Sequence, residues 1–482
     1  MTSDAAIVET ASGVIRGVHG AVRTFKGVPY ATPPLGALRW RPPKPTQAWT
    51  GRRDALQFGP ICPQPGKHPP GAMSEDCLTL NVWTPADASN LPVMVWFHGG
   101  GWRRGAGSSA RTNGENLARQ GVVVVTVNFR LGILGFMAHP DLSMESPHGV
   151  SSNYALLDIV AALKWVRDNI SAFGGDPQNV TAFGQSSGAQ AVCDLMISPL
   201  AKGLFHRAIL QSAPVLRPGY AQMTLAQAEK EGLKYGENIR ILRETSAQDL
   251  LARVTSVDYE TRANIANPHY PVLDSYVLAS DERTAFQTGA FARMPAMIGN
   301  NLEEARHYME NVPARTLDDY RRYLTRRFQR DTDEAARLYP ASDDASAMYA
   351  QGQITGDTSL SWGVREFARC AAPTMPIYRY LYAHARDGLS PTHSDEIPIL
   401  FGNEVDRTGK PSPFSDADRR VSKFMQRAWT NFARTGDPNG QMIDWRRFEP
   451  DGETYLRIEP APANESGWRD EEIDFISKTT RR

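Results

Sequence analysis

Val180-Thr181-Ala182-Phe183-Gly184-Gln185-Ser186-Ser187-Gly188-Ala189-Gln190-Ala191-Val192 is the stretch on which the fold turns. Residues 180–183 are rich in apolar, β-branched and aromatic side chains, as a strand covered on both faces is. Residues 188–192 are compatible with a helix, and a helix is expected over residues 187–196. Between them, Gly184-x-Ser186-x-Gly188 puts a serine on a tight turn. Glycines two before and two after are needed because side chains there would collide with neighbouring elements. Such a turn lifts the Ser186 hydroxyl clear of a sheet and sets backbone N–H groups at a helix start beneath a developing oxyanion. Chance alone supplies about 0.2 matches to this pattern in a chain of this length. The strand before it and the helix after it decide for a nucleophile over a structural turn. Ser187, off the central position, is expected to contribute its N–H instead.

Working outward, a second buried strand over residues 93–97 ends at His98-Gly99-Gly100-Gly101-Trp102. Three consecutive glycines let backbone amides approach a substrate oxygen with no side chain between. A flexible turn is the plain alternative, and a nucleotide-binding loop is disfavoured because neither G-x-G-x-x-G nor a P-loop lysine is present. Residues 122–127 form another buried strand. Residues 156–170 have helical spacing, with Leu156, Ile159, Val160, Leu163 and Val166 on one side, and stop at Phe173-Gly174-Gly175-Asp176-Pro177. Further strands are expected at residues 207–211, 296–298 and 377–381. Strands alternating with helices in this way imply an α/β fold, with a mostly parallel sheet covered on both faces. Residues 310–375 read as a charged helical insertion. Thr316 caps a helix there whose Leu317, Tyr320, Leu324 and Phe328 face inward, and its arginines form a solvated outer face. The expectation is one large domain spanning residues 1–482.

The chain has 53 Lys+Arg and 53 Asp+Glu, so no net field draws it to nucleic acid or an anionic membrane. No apolar run reaches the eighteen or so residues of a membrane span. Met1-Thr2-Ser3-Asp4-Ala5-Ala6 lacks the basic start and apolar core of a secretion signal, leaving a cytoplasmic protein or one whose signal was removed. The four cysteines form no Cys-x-x-Cys or Cys/His pattern, so no metal site is expected.

The chain resembles the carboxylesterase/cholinesterase family, the type-B carboxylesterases, from end to end. The residues that carry the likeness are Phe25-Lys26-Gly27-Val28-Pro29-Tyr30-Ala31, Leu38-Arg39-Trp40, Ser74-Glu75-Asp76-Cys77-Leu78, Asn128-Phe129-Arg130, the glycine loop, the serine turn, and Trp429-Thr430-Asn431-Phe432-Ala433. The resemblance implies an α/β-hydrolase fold and ester hydrolysis with no metal or organic cofactor, on a small-molecule ester. It also names partners for Ser186, which ten histidines and 53 acids could not. Gly299-Asn300-Asn301-Leu302-Glu303-Glu304 is similar to the acid segment and gives Glu304, with Glu303 as an alternative because Ala305 replaces the usual glycine. His393-Ser394-Asp395-Glu396 is similar to the histidine segment and gives His393, with Ser394 in place of a glycine. The order Ser, Glu, His suits the fold. The oxyanion hole of the family corresponds to the N–H groups of Gly100, Gly101 and Ser187. Cys62 and Cys77 match the family's first disulfide, while Cys193 and Cys370 read as buried thiols.

Two departures bear on the substrate. Gln185 stands where the family commonly has Glu, and Trp102-Arg103-Arg104 stand where uncharged residues are more usual. A negative charge is missing beside the serine, and two positive charges are added to the glycine loop. The expectation is a carboxylate-bearing ester, such as the tricarballyl esters of fumonisins cleaved by some members of the family, gripped by Arg103 or Arg104. The rival is that both arginines face solvent. A catalytically silent binding or adhesion module is the alternative of another class, and an amidase or carbamate hydrolase with the same residues is a third.

Overall fold

The computed structural model describes residues 5–66, 72–254, 269–309, 314–440 and 444–480. Its strands are β1 (Ala5–Thr10), β2 (Gly13–Val18), β3 (Val22–Pro29), β4 (Arg52–Asp54), β5 (Thr79–Pro85), β6 (Leu91–Phe97), β7 (Val123–Val127), β8 (Gly175–Gln185), β9 (Arg207–Gln211), β10 (Ala296–Asn301), β11 (Ile377–Tyr382), β12 (Tyr455–Ile458) and β13 (Ala463–Glu465). They make one sheet in the order β1-β2-β3-β5-β7-β6-β8-β9-β10-β11-β12-β13, with β4 beside β2. From β7 to β12 every neighbouring pair is parallel, and the two flanks are antiparallel except for β4, which runs parallel to β2. This is the α/β-hydrolase architecture that the sequence implies.

The central strands are rich in apolar, β-branched and aromatic residues and buried on both faces because helices cover both. Along β6, Val93, Val95 and Phe97 join one apolar core, and Met94 and Trp96 join the other. The first core takes the helix Tyr154–Asn169 through Leu156, Ile159 and Leu163. The second takes the helix Asp416–Thr435 through Val421, Met425, Trp429 and Phe432. Ser415 and Asp418 close a capping box at its start, and Gly436, at φ 80, ends it.

Asp158, on the first of these helices, is paired in the interior with Arg130 from the Asn128-Phe129-Arg130 motif. The guanidinium donates to both carboxylate oxygens at 2.8 and 2.7 Å, and the Arg130 N–H adds a third bond at 3.1 Å. A buried pair of this kind is costly to break, because one charge is then left without compensation.

The expected strands and helices are present with shifted ends. β8 begins at Gly175, five residues before its expected start, because Gly175 pairs with Leu91 before a register shift carries the strand on to Val180. In the insertion, the helix Leu317–Phe328 is capped by Thr316, with Tyr320, Leu324 and Phe328 buried. Leu317, expected inside, is half-buried. Arg321 and Arg322 pair with Asp318 and Asp319 on its outer face, their side chains 67% and 72% exposed. Residues 310–313, where the insertion was expected to begin, lie outside the described residues.

Candidate active site

β8 runs into Gln185, the chain turns sharply at Ser186, and a helix begins at Ser187. Ser186 has φ 56 and ψ −126, a conformation that costs a non-glycine residue about 1–3 kcal/mol. The surroundings hold it there: its N–H donates to the Gln211 carbonyl at 2.8 Å, and its carbonyl accepts from the Gln190 N–H at 2.9 Å. Gly188 is required by space. A Cβ on it would lie 2.0 Å from the Phe97 carbonyl oxygen at the end of β6.

The ends of neighbouring strands supply the rest. Glu304 opens a helix just after β10 and is 3% exposed. One of its oxygens meets Nδ1 of His393 at 2.7 Å. The other accepts from the Asn301 N–H at 2.9 Å and from the Ser212 hydroxyl at 2.6 Å. Burial opposes ionisation of Glu304, but the charge and hydrogen bond of His393, with the Asn301 and Ser212 bonds, outweigh it and hold the carboxyl below its ordinary range. Burial also pushes His393 down, but the charge and hydrogen bond of Glu304 raise it above the ordinary imidazole value. Glu303, the alternative acid, turns away and accepts from the Tyr349 hydroxyl at 2.6 Å.

The glycine loop lies against the serine turn. A Cβ on Gly99 would lie 3.1 Å from Cβ of Ser186 and 2.7 Å from the Gln185 carbonyl oxygen. Gly100 has φ 123 and Gly101 φ 63. The Gly100 carbonyl accepts from the N–H groups of Arg103 and Arg104 and closes the loop. Among the described residues, the N–H groups of Gly100 and Gly101 make no intramolecular hydrogen bond. The Trp102 N–H donates to the Ser187 hydroxyl at 3.2 Å, tying loop to helix.

The residues expected to contact substrate separate. Gln185 is buried, and its side-chain amide is 3.1 Å from Nε2 of His393. Trp102 belongs to the core: it is 1% exposed, lies edge-on to Phe136, and gives its indole N–H to Gln190 at 3.0 Å. Arg104 is exposed and Arg103 half-buried. Burial, helped by the nearby charge of Arg103, pushes His269 down to about 3. Cys62 and Cys77, matched to a disulfide above, are buried free thiols in this structure, with Cys62 also accepting from the Leu131 N–H at 3.3 Å. Cys193 is buried and Cys370 half-buried, both as thiols.

Sequence reasoning missed the residues that brace the acid and the base. Ser212 follows β9. Glu396, fully buried, accepts from Asn301 at 2.7 Å and from Gln211 at 3.1 Å, and Gln211 in turn accepts from the Trp429 indole. Burial raises the Glu396 carboxyl above its ordinary range. No local pattern could have joined positions 211, 301, 396 and 429. Among the described residues no cluster of metal-ligating side chains occurs, and no helix is long and apolar enough to cross a membrane.

The chain is similar to proteins of known kind along nearly its whole length. A family model described as the carboxylesterase family matches residues 4–476. Fumonisin B1 esterase of Sphingopyxis macrogoltabida is 42% identical over 470 residues, which cover 94% of this chain and 86% of that one. Para-nitrobenzyl esterase of Bacillus subtilis (strain 168) is 35% identical and covers 94% of both. Among solved structures, a PNB esterase superposes with a TM-score of 0.84 at 32% identity, covering 98% of this chain and 99% of that one.

Proposed function

The chain belongs to the carboxylesterase family and is a carboxylic ester hydrolase, and from that premise we propose that it works through an acyl-enzyme on Ser186. Nε2 of His393 takes the Ser186 proton as Oγ attacks the ester carbonyl. The carbonyl oxygen, now an oxyanion, lies against the N–H groups of Gly100, Gly101 and Ser187. As the tetrahedral centre collapses, the C–O bond to the alcohol breaks and His393 returns the proton to the departing oxygen. Water then repeats the sequence and frees the acid. Glu304 keeps the proton on Nδ1, so that Nε2 is the basic nitrogen, and stabilises the imidazolium. What carries this reading is the 2.7 Å contact between Glu304 and His393 beside a strained serine turn.

The substrate in this proposal is a small ester with a free carboxylate near the scissile bond, of the tricarballyl kind. In support, Gln185 brings no negative charge to the site, the glycine loop carries Arg103 and Arg104, and a 42% identical relative is named for fumonisin B1. A silent binding module is not favoured, because Ser186, Glu304 and His393 are all retained in the sequence.

Hydrolysis of p-nitrophenyl acetate by the protein and by Ser186→Ala tests the nucleophile. The variant is expected to lose at least about a thousandfold in kcat. Equal turnover by the two would end the assignment.

A further inference from the structure

We propose that Arg217, on the loop after β9, is the residue that recognises the substrate carboxylate. This rests on the proposed preference for carboxylate-bearing esters, and it moves the main grip away from the exposed arginine of the glycine loop.

The loop leaves β9 at the same end of the sheet as the serine turn, since Ser212 at its start bonds Glu304. Leu216, at φ 50, turns the chain and donates its N–H to Glu282 at 2.8 Å. Arg217 follows, its guanidinium 3.6 Å from the centre of the Tyr220 ring. Its Nη2 has no access to solvent and no hydrogen-bond partner among the described residues. An arginine presents a planar fork of donors, and a buried donor left unpaired is costly, so the position calls for an acceptor.

The nearby protein carboxyls do not supply it. Glu282 is buried and already accepts from the Leu216 N–H and, at 3.0 Å, from the Gln190 amide. It also faces Asp194, buried in the same helix as Gln190; two carboxyls this close in the interior share a proton.

The same residues lead to the reacting centre. Gln190, bonded to Glu282, accepts from the indole of Trp102, the residue after Gly101. From the other direction, Tyr220 and Tyr270 are close enough to interact electrostatically, and a Cβ on Gly101 would lie 3.4 Å from the Tyr270 hydroxyl. An ester carbonyl on the Gly100 and Gly101 amides therefore has Tyr270 beside it and Arg217 behind Tyr220. A carboxylate on the acid half of the ester can accept from the Tyr270 hydroxyl and from the part of the half-buried Arg217 guanidinium other than Nη2. A charge-assisted bond to the half-buried Arg217 is less screened than one to the solvent-exposed Arg104, and outweighs it.

The test compares kcat/KM for mono-p-nitrophenyl glutarate and p-nitrophenyl valerate, which share chain length and leaving group. The unmodified enzyme should favour the glutarate by about tenfold or more. Arg217→Gln should cut that ratio by about tenfold, and Arg217→Lys by about threefold, since it keeps charge but not the fork. Arg104→Gln should leave the ratio within about twofold. No preference in the unmodified enzyme overturns the carboxylate-ester reading itself. A preference that survives Arg217→Gln, or survives Arg217→Lys should the Gln variant fail to fold, overturns the role of Arg217 and leaves that reading standing.

Discussion

The side-chain amide of Gln185 donates to Nε2 of His393 across 3.1 Å, while Nδ1 of the same ring is held by Glu304 at 2.7 Å. Both ring nitrogens are thus engaged in the resting enzyme. The amide donor favours neutral imidazole, because the lone pair that accepts it is lost on protonation.

A carboxylate at residue 185 would do the opposite. His393 already titrates above the ordinary imidazole value of 6.5. Hydrolysis needs its neutral form, so kcat/KM falls as pH drops through that raised value. Gln185→Glu places a negative charge at Nε2 and should move the acid limb up by about one pH unit or more. A pH profile of p-nitrophenyl acetate hydrolysis measures it. An unmoved limb would mean that residue 185 does not bear on the base.

Ser186 stores backbone strain at φ 56. Glycine tolerates that conformation, so Ser186→Gly should be more stable by about 1 kcal/mol after its larger unfolded-state entropy is subtracted. It should also lose hydrolysis by about a thousandfold or more. Urea unfolding beside an activity assay checks both halves, and a less stable variant would contradict the strain argument.

Ser394, at φ 73, occupies a conformation suited to the glycine usual there. Its carbonyl takes a hydrogen bond from Arg111, and its hydroxyl a longer one at 3.3 Å. Ser394→Gly relieves the left-handed conformation and keeps the carbonyl contact. A gain of about 0.5–1 kcal/mol is expected in equilibrium unfolding. A loss of stability would show that the hydroxyl matters more than the conformation.

Asp158→Asn leaves Arg130 buried without its counter-charge. The expected cost is about 3–5 kcal/mol, read from the urea midpoint. A change under about 1 kcal/mol would mean that the interior reorganises around the arginine.

The buried central strands and the serine turn were legible because both rest on local rules: continuous runs of apolar, β-branched or aromatic residues at 93–97 and 122–127, and a glycine spacing set by clashes at Phe97. Strand ends were less so, as Gly175 shows, because pairing with Leu91 decides them and not local preference. Glu304 and His393 were reachable through family resemblance alone. Ser212 and Glu396 were not, since their contacts join chain segments that no spacing rule connects, and the role proposed for Arg217 was beyond reach for the same reason. Trp102 misled for a related reason: its place in the glycine loop pointed to substrate, and its indole is turned into the core.

The contact between Gln185 and His393 also bears on how the enzyme is made. The two residues are 208 positions apart, and Glu304 reaches His393 across 89. Both pairings require β8, β10 and β11 to have found their parallel neighbours, and long-range pairing of this kind is slow to form. Helices can therefore appear early in refolding with no hydrolytic power. Regained turnover marks the late closure of the whole sheet, which makes catalysis itself a reporter of the final folding step.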